Sequence, residues 1–311
     1  MGGISMDRFQ DILVGVDLSQ GDRWVSPDLS PPTEEAVKRA CWIARLNSAR
    51  LTYLYAIDIS FAAQRLVEQD SCVVAEAKDI LCRLASQARA EGVAADHAVR
   101  FGKSWIEIIR RVLQHRHDLV VAGTRHLGAT KSFFVGSTGV KLLRKCPCPV
   151  WITQPQQHID IKTILVAHDL RPVGESAMAL GCSLARLHGA TLHVLHALNP
   201  SALGGGHSAS SETPWGEMTR VDAERRILAQ ANEYDLEPPP LVHVVATSAD
   251  EAILRTIEEY DIELVVMGTV GRSGIAGFIT GNTAERLLPQ IPCSVLAVKP
   301  TGFASPVTLA S

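Results

Sequence analysis

Short apolar runs alternate along the chain with longer stretches whose apolar residues recur at helical spacing. The runs over 11–17 and 163–169 are strand-length, and each ends in an aspartate. An apolar run of this length between polar segments is typical of a strand buried in a parallel sheet. Further strands are predicted at 49–57, 95–101, 118–123, 149–153, 190–198, 241–246, 263–268 and 294–298, and helices at 34–46 and 175–188.

The chain contains an internal repeat. The segment DLVVAGT at 118–124 returns as ELVVMGT at 263–269, and a glycine, a Leu-Leu pair and a Pro-Cys pair further on keep the same spacing. Strands that alternate with helices favour parallel sheets covered on both faces. The repeat therefore predicts an α/β fold of two tandem, doubly wound, five-stranded parallel sheets, with domains at 1–155 and 156–311. A polar, proline-containing linker near 154–160 separates them.

Three segments carry local signals for helix and loop boundaries. Ser104 with Glu107, and Ser248 with Glu251, have the spacing of a capping box, in which the serine would cap the following helix. The glycine-rich stretch 203–215 predicts a mobile loop inside the second domain. The two copies are thus expected to share their helix starts and to differ in a long loop.

Composition and charge exclude several classes of protein. The 311 residues include 30 Lys and Arg against 33 Asp and Glu, without a basic run, so the sequence does not favour a nucleic-acid partner. No apolar run reaches the length of a transmembrane segment. The first residues lack an export signal and the seven scattered cysteines do not suggest a disulfide framework, so a cytoplasmic protein with reduced thiols is expected.

The predicted ligand site lies at the carboxyl ends of the strands. In an open parallel sheet, ligands bind where the winding of the chain reverses. Strand one ends at Asp17 or Asp169, and strand four ends at Gly123 or Gly268. If strands one and four are neighbours, an acid and a glycine-containing turn converge in each half.

A motif in the second copy carries a family resemblance. It reads Gly268-Thr-Val-Gly271, then nine residues, then Gly281-Asn282-Thr283. This resembles the universal stress protein family, whose nucleotide-binding members have G-x-x-G, nine residues, and then G-Ser/Thr. The tandem arrangement is similar to the double-domain branch of that family, and the resemblance covers nearly the whole chain.

The resemblance implies a stress-response protein that binds ATP or another adenine nucleotide, with or without Mg²⁺, in one or both domains. It also implies an internal pseudo-dimer of the two domains, with a homodimer and a protein partner as further options. Glycines allow backbone N–H groups to approach phosphates, and a following helix N-terminus favours anions. The implied nucleotide-binding residues are Asp17, Gly123, His126, Gly136, Ser137, Thr138, Asp169, Gly268, Gly271, Gly281, Asn282 and Thr283.

Neither copy fits the motif completely, which leaves alternatives open. The first copy has His126 in place of the second glycine, and the second copy has Asn282 where Ser or Thr is expected. One alternative is an interaction module with degenerate nucleotide pockets. Another is a slow ATPase, although the sequence shows no general base and no catalytic residue is assigned. The glycines could also serve only tight turns and packing.

Other residues suggest chemistry that the sequence does not otherwise support. Cys146-Pro-Cys148 lacks a second ligand pair at zinc-site spacing, so buried structural thiols are expected. Four histidines on predicted strands of the second domain could converge on a zinc ion, but single strand histidines are more often hydrogen-bonded core or surface residues, and no metal site is assigned. These histidines are His168, His193, His196 and His243.

Overall fold

A computed structural model describes residues 8–58, 71–126, 133–198, 214–268 and 287–309. The chain divides into two compact units, one of Met1–Ile159 with Ala304–Ser311 and one of Asp160–Phe303. In unit 1 the strands are β1 Asp11–Gly15, β2 Arg50–Ile57, β3 Ala95–Phe101, β4 Leu119–Gly123, β5 Arg125–His126, β6 Phe133–Phe134 and β7 Val150–Thr153. Its helices are α1 Pro31–Asn47, α2 Ser71–Ala90, α3 Ser104–His115 and α4 Ser137–Lys145.

Unit 2 repeats the five parallel strands and the first three helices of unit 1 in the same order. Its strands are β8 Thr163–Ala167, β9 Thr191–Ala197, β10 Leu241–Val245, β11 Leu264–Gly268 and β12 Ser294–Val298. Its helices are α5 Pro172–His188, α6 Pro214–Asn232 and α7 Ala249–Glu259, and a 3₁₀ turn covers Leu288–Gln290. The predicted repeat of a doubly wound α/β fold is confirmed.

Each unit has one parallel sheet with the same strand order. In unit 1 the order is β7-β4-β1-β2-β3, and in unit 2 it is β12-β11-β8-β9-β10. The first strand therefore lies between the second and the fourth, and the winding reverses there. The pairs Gly15 with Ala122 and Ala167 with Met267 align the carboxyl ends of the first and fourth strands in the two units.

The cores consist of the central strands and the helix faces packed on them. Ile12, Leu13 and Val14 of β1 are fully buried, as are Ile164, Leu165 and Val166 of β8. Their continuous apolar runs reflect burial on both faces, as expected for central parallel strands. Within the described residues, no helix combines the length and the apolar character needed to cross a bilayer.

The predicted capping boxes have different outcomes in the two units. Ser248 caps α7, and its side chain accepts a hydrogen bond from the backbone N–H of Glu251. The prediction for α3 is wrong, because Lys103 occupies the N-cap position and Ser104 is already the first helical residue. The Glu107 carboxylate pairs instead with Arg110, at 2.7 Å.

Part of the predicted loop at 203–215 is helical. Helix α6 begins at Pro214, so the loop prediction is wrong for the last two residues. The remainder, 203–213, lies outside the described residues. The sequence analysis also placed no helix at 71–90, where the structure has α2.

Candidate functional site

Asp17 lies just past the end of β1 in a tightly held turn. Its Oδ1 accepts hydrogen bonds from the Ser19 backbone N–H at 3.0 Å and from the Ser19 hydroxyl at 2.6 Å. Its backbone oxygen accepts a hydrogen bond from the Thr33 hydroxyl, in the first turn of α1, at 3.4 Å. The carboxylate remains exposed to solvent, with its position set by the turn.

Gly123 contacts the same first turn of α1 from the other side. A Cβ added at Gly123 would lie 2.4 Å from the backbone oxygen of Pro32, so no larger residue fits without moving the helix. Since Thr33 contacts Asp17 and Pro32 contacts Gly123, both predicted residues border one helix N-terminus. The structure therefore brings together the acid and the glycine at the carboxyl ends of β1 and β4.

Unit 2 reproduces this arrangement with different contacts. Asp169 accepts a hydrogen bond from the Arg171 backbone N–H at 3.1 Å. A Cβ added at Gly174 would lie 2.5 Å from Asp169 Oδ1, and one added at Gly268 would lie 2.9 Å from Val173. Val173 and Gly174 belong to the first turn of α5. Asp169 and Gly268 thus border the α5 N-terminus as Asp17 and Gly123 border that of α1.

His168 stabilises the turn that contains Asp169. Its Nδ1 accepts a hydrogen bond from the Leu170 backbone N–H at 3.0 Å, and its Nε2 lies 2.9 Å from Gln230 Oε1. The Gln230 amide nitrogen donates to the Glu175 backbone oxygen at 3.0 Å, which leaves Oε1 as the acceptor. These partners require a neutral ring protonated at Nε2. Burial lowers the pKa of His168, which favours the same neutral form.

The segment after β4 returns to a helix N-terminus through a short hairpin. Strand β5, which includes His126, pairs antiparallel with β6. Gly136 then occupies the N-cap of α4 with no side-chain cap. Ser137 is exposed and Thr138 half-buried at the start of this helix. Because the first backbone N–H groups of a helix have no intrahelical acceptor, they can bind an anion here.

Four predicted residues of the second copy lie outside the described residues. They are Gly271, Gly281, Asn282 and Thr283. The structure therefore positions the acid and the first glycine of unit 2, and leaves the rest of its predicted motif as a prediction. In unit 1 it positions every predicted residue by its backbone, without the side chain of His126.

Two residues near Asp17 are not among those predicted from the sequence. Thr124 follows Gly123, is 8% exposed, and its buried hydroxyl has no hydrogen-bond partner among the described residues. The Tyr55 hydroxyl donates a hydrogen bond to the backbone oxygen of Trp24, which lies in the loop after Asp17. Burial and then the Asp17 charge raise the pKa of Tyr55, so its phenol stays neutral. A hydroxyl directly after the strand-four glycine was the only sequence signal for Thr124.

A separate groove of about 510 Å³ lies between α1 and α2 above β2. Cys41 and Tyr53 line it, with Glu91 opposite. Burial and the nearby Glu91 raise the pKa of Cys41 to about 11, so the thiol is protonated at neutral pH. The groove therefore has a mixed polar and apolar lining, and its cysteine is not an activated nucleophile.

The cysteine and histidine predictions can also be placed. Cys146 and Cys148 are buried, with their sulfur atoms 3.5 Å apart. Of the four histidines, His168 lies one residue beyond β8, whereas the others are on strands β9 and β10. They form two pairs, His168 with His196 and His193 with His243, through contacts of 2.8 Å and 3.1 Å.

Comparisons with known proteins agree with the fold and the duplication. The family model described as the Universal stress protein family matches residues 8–154 and again 160–299. Universal stress protein E of Escherichia coli strain K12 is 26% identical, covering 98% of this chain and 98% of that protein. Universal stress protein E of Photorhabdus laumondii is 24% identical, over 98% and 99%.

Solved structures show the same architecture over nearly the full length. A putative universal stress protein from Pseudomonas aeruginosa UCBPP-PA14 superposes with a TM-score of 0.66 at 24% identity, covering 95% of each chain. A universal stress protein from Archaeoglobus fulgidus gives a TM-score of 0.67 at 19% identity, covering 93% of this chain and 98% of the other. At these identities the likeness concerns the fold.

Proposed function

Because the chain belongs to the universal stress protein family, we propose that it binds an adenine nucleotide at the carboxyl ends of its parallel strands. The observation that carries the proposal is the pairing of an acid with a glycine around one helix N-terminus, in both units. In unit 1 these residues are Asp17 and Gly123, and in unit 2 they are Asp169 and Gly268. A stress-response role follows from the family and is proposed with it.

The proposed site has a part suited to each half of a nucleotide. The aspartate suits the ribose, and the helix N-termini suit the phosphates. An exposed carboxylate accepts hydrogen bonds from ribose hydroxyls, and Asp17 and Asp169 each retain an exposed side chain for this. Gly123 and Gly268 let the first turns of α1 and α5 lie directly against the ends of β4 and β11, so that each helix N-terminus borders the proposed site. The uncapped start of α4, with the Ser137 and Thr138 hydroxyls, supplies further donors in unit 1.

The buried Thr124 hydroxyl supports a ligand on this side of unit 1. A buried polar group without a partner is unfavourable by about 1–3 kcal/mol. Thr124 directly follows Gly123, at the strand end where the ligand is proposed to bind. A bound phosphate or sugar oxygen within reach would satisfy this hydroxyl.

Titration of the full-length protein with ATP, ADP and AMP tests the proposal. Calorimetry should show saturable binding, and mass spectrometry of ligand released from native protein should detect a nucleotide. Asp17→Ala and Asp169→Ala should each weaken binding at their own site by about ten-fold or more, because a hydrogen bond to a charged group contributes roughly 1.5–3 kcal/mol.

Asp222→Ala is the matched control, since Asp222 is exposed on α6 and pairs only with the neighbouring Arg225 among the contacts described. This variant should bind as the wild type does. The proposal fails if no nucleotide co-purifies and none binds at millimolar concentration. Phosphate release followed in the same samples tests the slow-ATPase alternative, which a rate unchanged in Gly281→Asp would exclude.

A further inference from the structure

Two histidines of unit 2 face each other across the edge strand β10 and its neighbour β9. His193 is the third residue of β9 and His243 the third residue of β10. The register aligns His193 with Leu241, so His243 lies two residues further along and its side chain is on the same face. The Nδ1 atom of His193 is 3.1 Å from the Nε2 atom of His243.

The surroundings hold the two rings in place. The rings are parallel to within 7°, with centroids 5.3 Å apart. Tyr260, at the end of α7, packs on both rings, with its centroid 4.5 Å from that of His193 and 5.1 Å from that of His243. His193 is 3% exposed, whereas His243 is half-buried. The pair is thus pre-organised and reachable through the edge strand β10.

Both rings are neutral at neutral pH. Burial lowers the pKa of His193, and the neighbouring His243 lowers it further. Burial also lowers the pKa of His243, against the opposing effect of Glu259. Each neutral imidazole carries one proton and one free electron pair, so the pair can hold one shared proton between the facing nitrogens or bind a cation there.

We propose that His193 and His243 form a two-imidazole binding site for a divalent transition-metal ion such as Zn²⁺ or Cu²⁺. Imidazole nitrogens bind Zn²⁺ at about 2.0–2.1 Å, so two of them on one ion at a near-tetrahedral or square angle are separated by roughly 2.8–3.4 Å. The observed separation of 3.1 Å falls within this interval. The two nitrogen atoms are therefore already at a suitable separation, and the rings must rotate so that both lone pairs converge on one ion.

When the metal ion takes the place of the shared proton, the number of protons on the two rings does not change. The ring that donated in the pair moves its proton to its outer nitrogen, which is Nε2 for His193 and Nδ1 for His243. Both rings remain neutral, each coordinates through its facing nitrogen, and no net proton is released at neutral pH. Below the ordinary pKa of histidine, protonation of the rings competes with the metal and binding weakens.

Charged groups nearby act on the site in opposite directions. The Glu259 carboxylate raises the pKa of His243 and so favours a cation, while Arg255, 3.8 Å from that carboxylate, opposes it. The Tyr260 phenol has its pKa raised through a hydrogen bond with Glu259 and serves as a cover over the rings. Among the described residues no three His, Cys, Asp or Glu side chains converge, so water completes the coordination.

The test is metal binding to tag-free, full-length protein. Calorimetric titration with Zn²⁺ at neutral pH should give saturable binding of one ion by this site. His193→Gln and His243→Gln should each lower the affinity by about ten-fold or more, because one imidazole alone is a monodentate ligand. With Cu²⁺, the paramagnetic resonance spectrum should show coupling to two nitrogens in the wild type and to one in His243→Gln.

His196→Gln is the matched control, since His196 lies on the same strand and contacts the His168 backbone oxygen instead. It should retain wild-type affinity. Circular dichroism of every variant without metal establishes that each is folded, and Zn²⁺ should raise the melting temperature of the wild type and not that of His243→Gln. Unchanged affinity in His243→Gln, an equal loss in His196→Gln, or no saturable binding by the wild type would overturn the proposal.

Discussion

His168 shows how one side chain can fix the position of a functional residue without touching a ligand. From the sequence, His168 is predicted to be a strand histidine that could ligate a metal, but its two ring nitrogens are both occupied by hydrogen bonds. One of these holds Leu170, whose backbone is in the left-handed region at a φ of 58°. The turn that presents Asp169 therefore depends on a neutral imidazole.

The neutral form of His168 gives a pH-dependent stability. Its pKa is lowered in the folded protein, so its contribution is present above the ordinary pKa of about 6.5 and is lost as pH falls through the folded value. The free energy of unfolding should decrease on acidification below about pH 6.5. His168→Leu should cost about 1–3 kcal/mol at neutral pH, because the Leu170 N–H loses its acceptor.

Denaturant unfolding at a series of pH values measures both effects. The acid-side decrease should be shallower in His168→Leu, with a remainder from the other histidines of lowered pKa, such as His117. Gln230→Met is the control, because it removes the partner of Nε2 and the hydrogen bond to Glu175 but leaves the Leu170 N–H bonded to Nδ1, so it should keep the pH dependence. An identical pH profile in wild type and His168→Leu would contradict this role.

At the scale of elements, the two capping boxes show where a local pattern stops being sufficient. Both copies have serine followed three residues later by glutamate, yet only Ser248 is an N-cap. In unit 1 the chain enters the helix one residue earlier, and Glu107 contacts Gly102 and Arg110 instead of a backbone N–H. The preceding strand and glycine turn, not the pattern itself, set the start of α3.

These two serines provide a matched pair of substitutions. Ser248→Ala should destabilise the protein by about 1 kcal/mol, since it removes the acceptor for the Glu251 N–H. Ser104→Ala should change the free energy of unfolding by less than about 0.5 kcal/mol, because alanine is well accommodated at a first helical position. Urea unfolding of both variants measures the difference, and equal effects would show that the assignment of the caps is incorrect.

At the scale of the whole molecule, Arg39 of α1 holds the segment that follows β7 against that helix. Its guanidinium is 1% exposed, pairs with Glu35 at 2.9 Å, and donates to Gln156 at 2.9 Å and to the Ile159 backbone oxygen. When α1 and α5 are aligned from their first residues, the equivalent position in unit 2 is Leu180, which is also buried. The ion pair is therefore a feature of the linker and not a requirement of the fold.

Removal of Arg39 should have a large effect. Arg39→Met leaves the buried Glu35 carboxylate unpaired, which typically costs about 3–5 kcal/mol. It should also increase proteolytic cleavage within 154–160. Chemical unfolding and limited proteolysis measure these outcomes. The control is Lys38→Met on the same helix, whose exposed pair with Glu34 should contribute within about 1 kcal/mol. A loss of similar size in both variants would contradict the importance of burial.

The sequence by itself determined the duplication, the order of the parallel strands, and the residues at the strand ends. These are local properties, since hydrophobic periodicity and glycine position follow from the dihedral angles that each segment adopts. The fold class and family resemblance were confirmed on this basis. Asp17 and Gly123 were expected to be close only on the assumption that strands one and four are neighbours.

Tertiary structure decided which distant side chains meet. The strand order brought each acid and glycine against one helix N-terminus, and the register of β9 and β10 paired His193 with His243. The pairing of β8 with β9 placed His196 against the His168 backbone. It also decided that Arg39 would be buried and that Ser104 would not cap its helix. These contacts depend on how the elements pack against one another, so no periodic pattern in the sequence indicates them.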